Sequence, residues 1–281
     1  MKNRALFLVP LAVLALCNQS RAASAPDPGD YVPAPAGATV TALYAQHQKA
    51  DRVYENGRRA LGDLGLKLDI GVLRVMHYFE LGGKPADVEL VLPFGRQRVG
   101  GDDTRLSGVG NVILGTTYWT KSDEASQTHL GWAGYLSLPS GAHRKEGFFA
   151  SEDRYALDLQ FGYITPLAPK VSLDLLGQTE LYTRDDTTRI ERKPLVRAFA
   201  HLSYHLSDAT RLALTVRQAY GARETLNGSE VLGSKRDTNL MLTWQHQVTD
   251  ALQLQLQVAK DVKVRNGAAV EAVQARVAYV F

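Results

Sequence analysis

Residues 252–258 read LQLQLQV, leucine and glutamine in strict alternation. A period of two places the leucines on one face of an extended strand and Gln253, Gln255 and Gln257 on the other. One such strand fits a half-buried soluble sheet, with leucines in the core. It fits equally a membrane barrel, with leucines against lipid and glutamines lining a lumen. The rest of the chain decides between them. Beyond a proline-rich stretch at 26–37, twelve strand candidates follow, near 38–48, 64–79, 86–95, 108–119, 128–139, 154–164, 170–182, 194–206, 210–220, 238–247, 251–260 and 271–281. In 154–163 the apolar set Tyr155, Leu157, Leu159, Phe161 and Tyr163 opposes Arg154, Ala156, Asp158, Gln160 and Gly162. The candidates at 194–206, 210–220 and 238–247 alternate as cleanly. At roughly ten residues each is long enough for a tilted transmembrane strand.

The connections favour the barrel. Those after odd-numbered strands are long (49–63, 96–107, 140–153, 183–193, 221–237 and 261–270), and those after even-numbered strands are mostly short (80–86, 120–127, 163–169, 207–209 and 249–251). A soluble sandwich has no reason to alternate loop lengths, because its two ends meet the same solvent. An outer-membrane barrel has short periplasmic turns and longer outer loops, and an even strand number brings both termini to the short-turn side. Aromatic residues gather where two interfaces would lie: Phe79, Trp119, Tyr163, Tyr204 and Phe281 on the short-turn side, and Phe94, Tyr155, Tyr182 and Tyr220 on the other. The expected fold is therefore an all-β, antiparallel up-and-down transmembrane barrel of about twelve strands, over residues 38–281. Stretch 64–79 alternates through Leu64, Leu66, Leu68, Ile70 and Val72 and then loses phase. Held in register with its leucines outward, it would put Arg74 against lipid at roughly 2–4 kcal/mol. A bulge near Leu73 is expected to return Arg74 to the lumen. The facing of 108–119 is left open.

The first residues sharpen the compartment. Lys2 and Arg4 precede the apolar run ALFLVPLAVLAL (5–16), and small residues follow in SRAASA (20–25). That layout reads as a secretory signal over 1–22, cleaved after Ala22; a lipid anchor on Cys17 meets a bulky neighbour in Leu16. Residues 23–37 read as an irregular extension that can tuck into the periplasmic mouth as a plug. Cys17 is the single cysteine, so no disulfide would hold the exported chain. No later run is long and apolar enough for a transmembrane helix. The mean hydropathy of −0.18 does not argue against a barrel, whose alternating strands average to near neutrality. A net charge of +3 gives no reason to expect nucleic acid as a partner.

Candidate chemistry concentrates on the predicted inner face. It collects Lys67, Asp69, Glu89, Asp158, Asp174, Glu180, Arg197, His201, Arg211, Arg217 and Arg276. Charges of both signs inside a narrow barrel should pair, because single ones would be poorly hydrated. Such a set is either a ladder that stiffens and partly plugs the interior, or a constriction that selects solutes by size and charge. Twelve strands lie between the filled eight-stranded and the open sixteen-stranded cases, so a narrow pore is compatible with both. His201 and His205 share a face with Ser203 between them, but neighbours two apart on one strand rarely reach hydrogen-bond geometry. The acidic pairs Asp102–Asp103 and Asp185–Asp186 fall in expected outer loops, where solvated charge or contact with divalent ions among surface lipids is the simplest role. No HExxH, GxSxG or Walker motif appears, and no metal-ligand spacing or cofactor motif.

The strings DYVPAPAGATVTALYAQHQKADRVYENGR (30–58), LDIGVLRVMHYFELGG (68–83), LPFGR (92–96), SGVGNVILGTTYW (107–119) and LSLPSGAH (136–143) resemble the bacterial family named for the MetA pathway of phenol degradation. The closing VAYVF (277–281) resembles the assembly signal of outer-membrane barrels. The resemblance implies an exported outer-membrane barrel that helps aromatic or other hydrophobic compounds across that membrane. The expected partners are then outer-membrane lipid and lipopolysaccharide, the barrel-assembly machinery during insertion, and a small hydrophobic solute. A closed structural or surface-binding barrel and an outer-membrane hydrolase remain as alternatives.

Overall fold

The structure, a computed structural model, describes residues 25–100 and 105–281. The expected signal segment 1–22 with Cys17, and the Asp102–Asp103 pair, lie outside the described residues. Twelve long strands form the wall: β1 (Thr39–Glu55), β2 (Leu66–Leu81), β3 (Lys84–Arg98), β4 (Ile113–Asp123), β5 (Thr128–Ser137) and β6 (Ala156–Ala168). The circuit continues through β7 (Val171–Tyr182), β8 (Leu195–His205), β9 (Thr210–Gly221), β10 (Lys235–Gln247), β11 (Leu252–Lys263) and β12 (Gly267–Val280). Each pairs antiparallel with its sequence neighbours, and β12 returns to β1 from Val40↔Val280 to Tyr54↔Gly267. The sheet closes on itself and leaves no long unpaired edge, which is what an apolar solvent demands of backbone N–H and C=O groups. Among the described residues there is no helix.

All twelve strands coincide with the twelve segments of alternating hydropathy. On the long-loop side β1, β3, β9, β10, β11 and β12 run further than the pattern suggested, so the last outer connection is only 264–266, whereas β2, β4, β5, β6 and β8 stop short of it. The turns at the other end are short throughout (82–83, 124–127, 169–170, 206–209 and 248–251). In LQLQLQV, Leu256 is 54% exposed on the outer wall, and Gln255 is buried inside at 1%. The leucines face outward and the glutamines inward.

β2 reverses the expectation. Leu66, Leu68, Ile70, Val72, Met76 and Tyr78 are all buried inside the barrel. Its register is unbroken from Thr39↔His77 to Ala50↔Leu66 on one side and from Lys67↔Arg98 to Leu81↔Lys84 on the other. There is no bulge near Leu73. Arg74 reaches the interior because the whole strand runs in the opposite phase. Lys67 and Asp69 consequently stand on the outer wall, exposed. The physical reason is that the lumen beside β2 is filled. Tyr31 of the extension and Phe148 and Phe149 of the loop 138–155 share one apolar cluster with these side chains, so greasy residues gain burial there as well as against lipid.

The facing of β4 is also settled: Ile113, Thr117 and Trp119 point inward. Before β4 the chain pairs with β3 through Arg105–Val109, steps aside at 110–112 opposite Pro93, which has no N–H to donate, and resumes at Ile113↔Val91. Two of the expected interface aromatics are inside instead. Trp119 is buried against Tyr78, with ring centroids 5.9 Å apart. Tyr182 faces the lumen beneath the Arg192 guanidinium, 4.8 Å from its ring centre. Phe94, Tyr155, Tyr204, Tyr220 and Phe281 are exposed on the outer wall.

The facing assignment has a thermodynamic consequence. Leu256→Arg puts a charge on the outer wall among Leu254, Val258 and Val273 and is expected to destabilise the barrel in vesicles by about 2–4 kcal/mol, read from denaturant refolding. Gln257→Arg, on the lumen side of the same strand, should cost less.

Candidate functional site

The interior has two unlike walls. β2 to β5 contribute Leu66, Leu68, Ile70, Val72, Val91, Ile113, Ala133 and Tyr135, an apolar surface whose β2 part the alternation had assigned to lipid. β6 to β12 contribute carboxylates, guanidiniums and amides. Between the walls lies the extension, residues 25–37, which enters at the short-turn end and is held by side chains from eight of the twelve strands.

Its anchors are specific. Asp30 meets Arg74 Nη1 at 3.0 Å and Arg276 Nη1 at 3.3 Å, and Asp27 meets Arg276 Nη1 at 3.1 Å. Arg74 donates onward from Nε to Glu89 at 2.6 Å, and Glu89 accepts from the Tyr135 hydroxyl at 2.9 Å. The Gly29 N–H donates to Asp174 at 2.7 Å, the Pro28 carbonyl accepts from Arg211 at 2.6 Å, and Gln255 donates to Asp27 at 2.9 Å. The Trp119 indole N–H donates to the Tyr31 carbonyl at 2.9 Å, and the Tyr31 hydroxyl donates to Gln160 at 3.2 Å. Burial works to raise the pKa of Asp30, but Arg74 and Arg276 outweigh it and hold the carboxyl below its ordinary value. Burial wins at Asp27, whose pKa is raised.

Glycine shapes the seat of this segment. Gly131 and Gly162 are register partners on β5 and β6, and the Tyr31 ring lies against the flat patch they leave. A Cβ at Gly162 would collide with that ring. What remains beside the extension is a void of about 10 Å³ among Pro26, Asp30, Tyr31, Arg74, Thr117, Tyr135 and Gln160. That is room for about one water.

Above the extension, toward the long loops, the lumen opens into a cavity of about 140 Å³. Arg197, Arg217, Lys235, Glu180, Asp237 and Asp261 form its polar side, and Leu195, Leu232, Met241 and Val270 its apolar side. Arg192, Ala222, Glu224 and Leu232 of the outer connections line it, and the loop 138–155 folds over the neighbouring apolar cluster. Phe148 and Phe149 fold inward, held by Gln97, which accepts from the Phe149 N–H at 2.8 Å and donates to the Gly147 carbonyl at 3.2 Å. Arg192, in the loop 183–194, grips Glu152 with two bonds of 2.6 and 3.0 Å and Glu224 with one of 2.6 Å, joining three outer connections. Burial alone would lower the Arg192 pKa; Glu152 and Glu224 outweigh it and hold it well above its usual value.

Of the residues the sequence singled out, nine are inside. Glu89, Asp174, Arg211 and Arg276 converge on the extension or on Arg74. Glu180 pairs with Arg197 at 3.1 Å, and Asp261 with Arg217 at 3.4 Å. Asp158 accepts from Gln160 at 2.9 Å and from Gln178. His201 shares a 2.6 Å bond with Thr215, not with Ser203, and His205 bonds Ser172 at 3.1 Å. Lys67 and Asp69 are on the other side of the wall. Sequence reading missed Asp27, Asp30, Tyr31, Gln97 and Arg192. For the first three a signal existed: two carboxylates and an aromatic in a segment too short to have a core of its own.

A closed twelve-stranded barrel with a greasy exterior and an internally paired, loop-roofed lumen defines an outer-membrane β-barrel protein. The chain belongs to the family "Putative MetA-pathway of phenol degradation", whose model matches residues 50–277. It is similar to the COG4313 outer membrane channel from Pseudomonas putida F1, with 30% identity, a TM-score of 0.86, and coverage of 92% of this chain and 100% of that one. At the level of fold alone it resembles the β domain of the Bordetella autotransporter BrkA (11% identity, TM-score 0.53, 87% of this chain and 99% of that). The transport unit of the autotransporter AIDA-I from Escherichia coli is a similar case (12% identity, TM-score 0.52, 97% of each chain). No curated protein sequence matches the chain.

Two substitutions test the seat. Gly162→Leu is expected to expel the Tyr31 ring, so that protease cleaves within 25–37 of the folded barrel and Trp119 fluorescence shifts to the red. Arg74→Met strips Asp30 and Glu89 of their shared cation and should lower stability by about 3–5 kcal/mol, seen as a lower unfolding temperature on heat-modifiability gels.

Proposed function

We propose that this barrel is an outer-membrane channel for small hydrophobic or aromatic compounds, exported by a cleavable signal over 1–22 and linked to aromatic degradation. The observation that carries this reading is the half-apolar cavity of about 140 Å³ beneath the outer loops. An engineered apolar cavity of about 150 Å³ takes up one benzene ring, so the volume suits a single-ring solute. The mixed lining suits a ring bearing one polar group: Met241, Leu232 and Val270 receive the ring, and the charged side holds the substituent. The family's phenol-degradation description and the similarity to a protein named as an outer membrane channel point the same way.

On this reading the extension is a plug and its ion pairs are a latch. Charges that are paired to one another cost less to desolvate and can be re-paired when the segment moves, which a covalent or purely apolar seal would not permit. A barrel with a permanently closed lumen is the second reading, favoured by the void of only about 10 Å³ beside Tyr31.

Liposomes carrying the full chain separate the two. A channel gives uptake of phenol-like solutes well above that of sugars; a closed barrel passes neither. Deleting residues 25–37 should raise single-channel conductance in planar bilayers several-fold, and an unchanged trace would remove the plug from the account.

A further inference from the structure

Lys67 and Asp69 belong to a feature of the outer wall that the lumen does not explain. Lys67 is directly opposite Lys49 on β1 and Arg98 on β3. Lys49 is opposite Glu271 on β12, and Glu271 is opposite Lys260 on β11. Lys260, Glu271, Lys49, Lys67 and Arg98 thus form one register row across five adjacent strands, all on the outer face. Four are cations and one is an anion. Like charges directly opposite one another on a sheet destabilise it, and here Lys49, Lys67 and Arg98 stand three abreast. Glu271 is shared by Lys49 at 3.2 Å and Lys260 at 2.7 Å. Among the described residues, no acidic side chain lies within ion-pair distance of Lys67 or Arg98.

The height of the row is as informative as its charge. On β11 and β12 the outward positions just on the short-turn side of it are apolar, Val258 and Leu256 on the one and Val273 and Val277 on the other. On β1, β2 and β3 a second polar row intervenes, in which Asp69 meets His47 at 2.8 Å and Arg96 at 3.5 Å, and the apolar wall resumes below it with Leu43, Phe94, Leu90 and Val88. The basic row, with the His47, Asp69 and Arg96 row beneath it on β1 to β3, therefore caps the greasy band at its long-loop end, where hydrocarbon gives way to headgroups on the outer side. Directly below Lys49 and Lys260 the wall is hollowed into a groove of about 510 Å³, floored by Leu214, Leu240, Leu242, Val258 and Val273. Cations above an apolar groove match an amphiphile with anionic groups above an acyl chain.

We propose that this face, over β11, β12, β1, β2 and β3, docks a phosphorylated glycolipid of the outer leaflet, lipopolysaccharide in chemical class. One acyl chain lies in the groove, and phosphates lie on Lys260, Lys49, Lys67 and Arg98. With strands roughly 4.8 Å apart, the row from Lys260 to Arg98 spans about 19 Å, wide enough for more than one phosphate. Bound phosphate removes the repulsion among the three adjacent cations, so the same contact that recruits the lipid relieves the sheet. The inference rests on the outer-membrane placement of the barrel and not on what passes through its lumen.

The test uses the purified full chain and three probes: lipopolysaccharide, the same lipid enzymatically dephosphorylated, and phosphatidylglycerol vesicles. Native mass spectrometry or surface plasmon resonance reads binding. Lipopolysaccharide should bind the wild type and bind the combined Lys49→Gln, Lys67→Gln, Arg98→Gln variant at least about tenfold more weakly, given the contribution of each basic residue at an anionic lipid surface. Dephosphorylated lipid should bind the wild type as weakly as the variant binds the intact one. Heat-modifiability confirms that the variant is folded; should it not fold, Leu240→Trp fills the groove and must lower binding in its place. Undiminished binding by the folded variant, equal binding of the dephosphorylated lipid, or equal attraction to phosphatidylglycerol overturns the proposal. Solute flux through the variant should match the wild type. A barrel that binds lipopolysaccharide yet passes no phenol would end the channel reading and leave this one intact.

Discussion

An enclosed lumen cannot leave its charges alone. Inside a narrow barrel there is little water to solvate a guanidinium or a carboxylate, so each must find its opposite within reach or not be ionised. This requirement organises the interior. Arg276 and Arg74 answer Asp27 and Asp30 of the extension, Arg197 answers Glu180, and Arg192 answers Glu152 and Glu224 at the outer mouth. Because several of these pairs join the wall to segments that are not part of it, charge compensation becomes the means by which a tail and three loops are placed. Pairs of this kind add little net stability compared with apolar packing. Their contribution is position: a carboxylate at 27 or 30 has one set of partners that satisfies it.

The membrane applies the complementary constraint from outside. Hydrocarbon accepts leucine and valine and rejects charge, so the outward residues of β11 and β12 are apolar until the band ends and the basic row begins. Function, on the reading proposed here, sits where the two constraints leave slack. The cavity beneath the loops keeps one greasy and one charged side, and it is neither packed shut by side chains nor wide enough to be a general pore.

The strands are legible in the sequence, because a barrel repeats one rule on every strand and loop lengths carry its polarity. Glu89, Asp158, Asp174, Glu180, Arg197, His201, Arg211, Arg217 and Arg276 were legible as inward residues for the same reason: each sits opposite a clean apolar set. The reading failed on β2. There the rule that apolar means outward had a hidden premise, that the inside is wet. Tyr31, Phe148 and Phe149 make the inside greasy beside β2, and Leu68 is buried as well as any core residue. Lys67 and Asp69 were displaced with it. Trp119 and Tyr182 failed for a related reason, since an aromatic near a strand end serves the interior as readily as an interface.

What the sequence determined by itself, then, was periodic: twelve strands, their order, their sidedness and most of their facing. Those follow from a two-residue repeat, and a repeat is local. What only the tertiary structure decided was what fills the middle. The seat of Tyr31 on Gly131 and Gly162, the clasp of Arg192 on two loops, and the row of Lys49, Lys67 and Arg98 each join residues far apart along the chain or side by side only after the sheet has closed. No local pattern encodes them, because closure is what sets the register that brings them together.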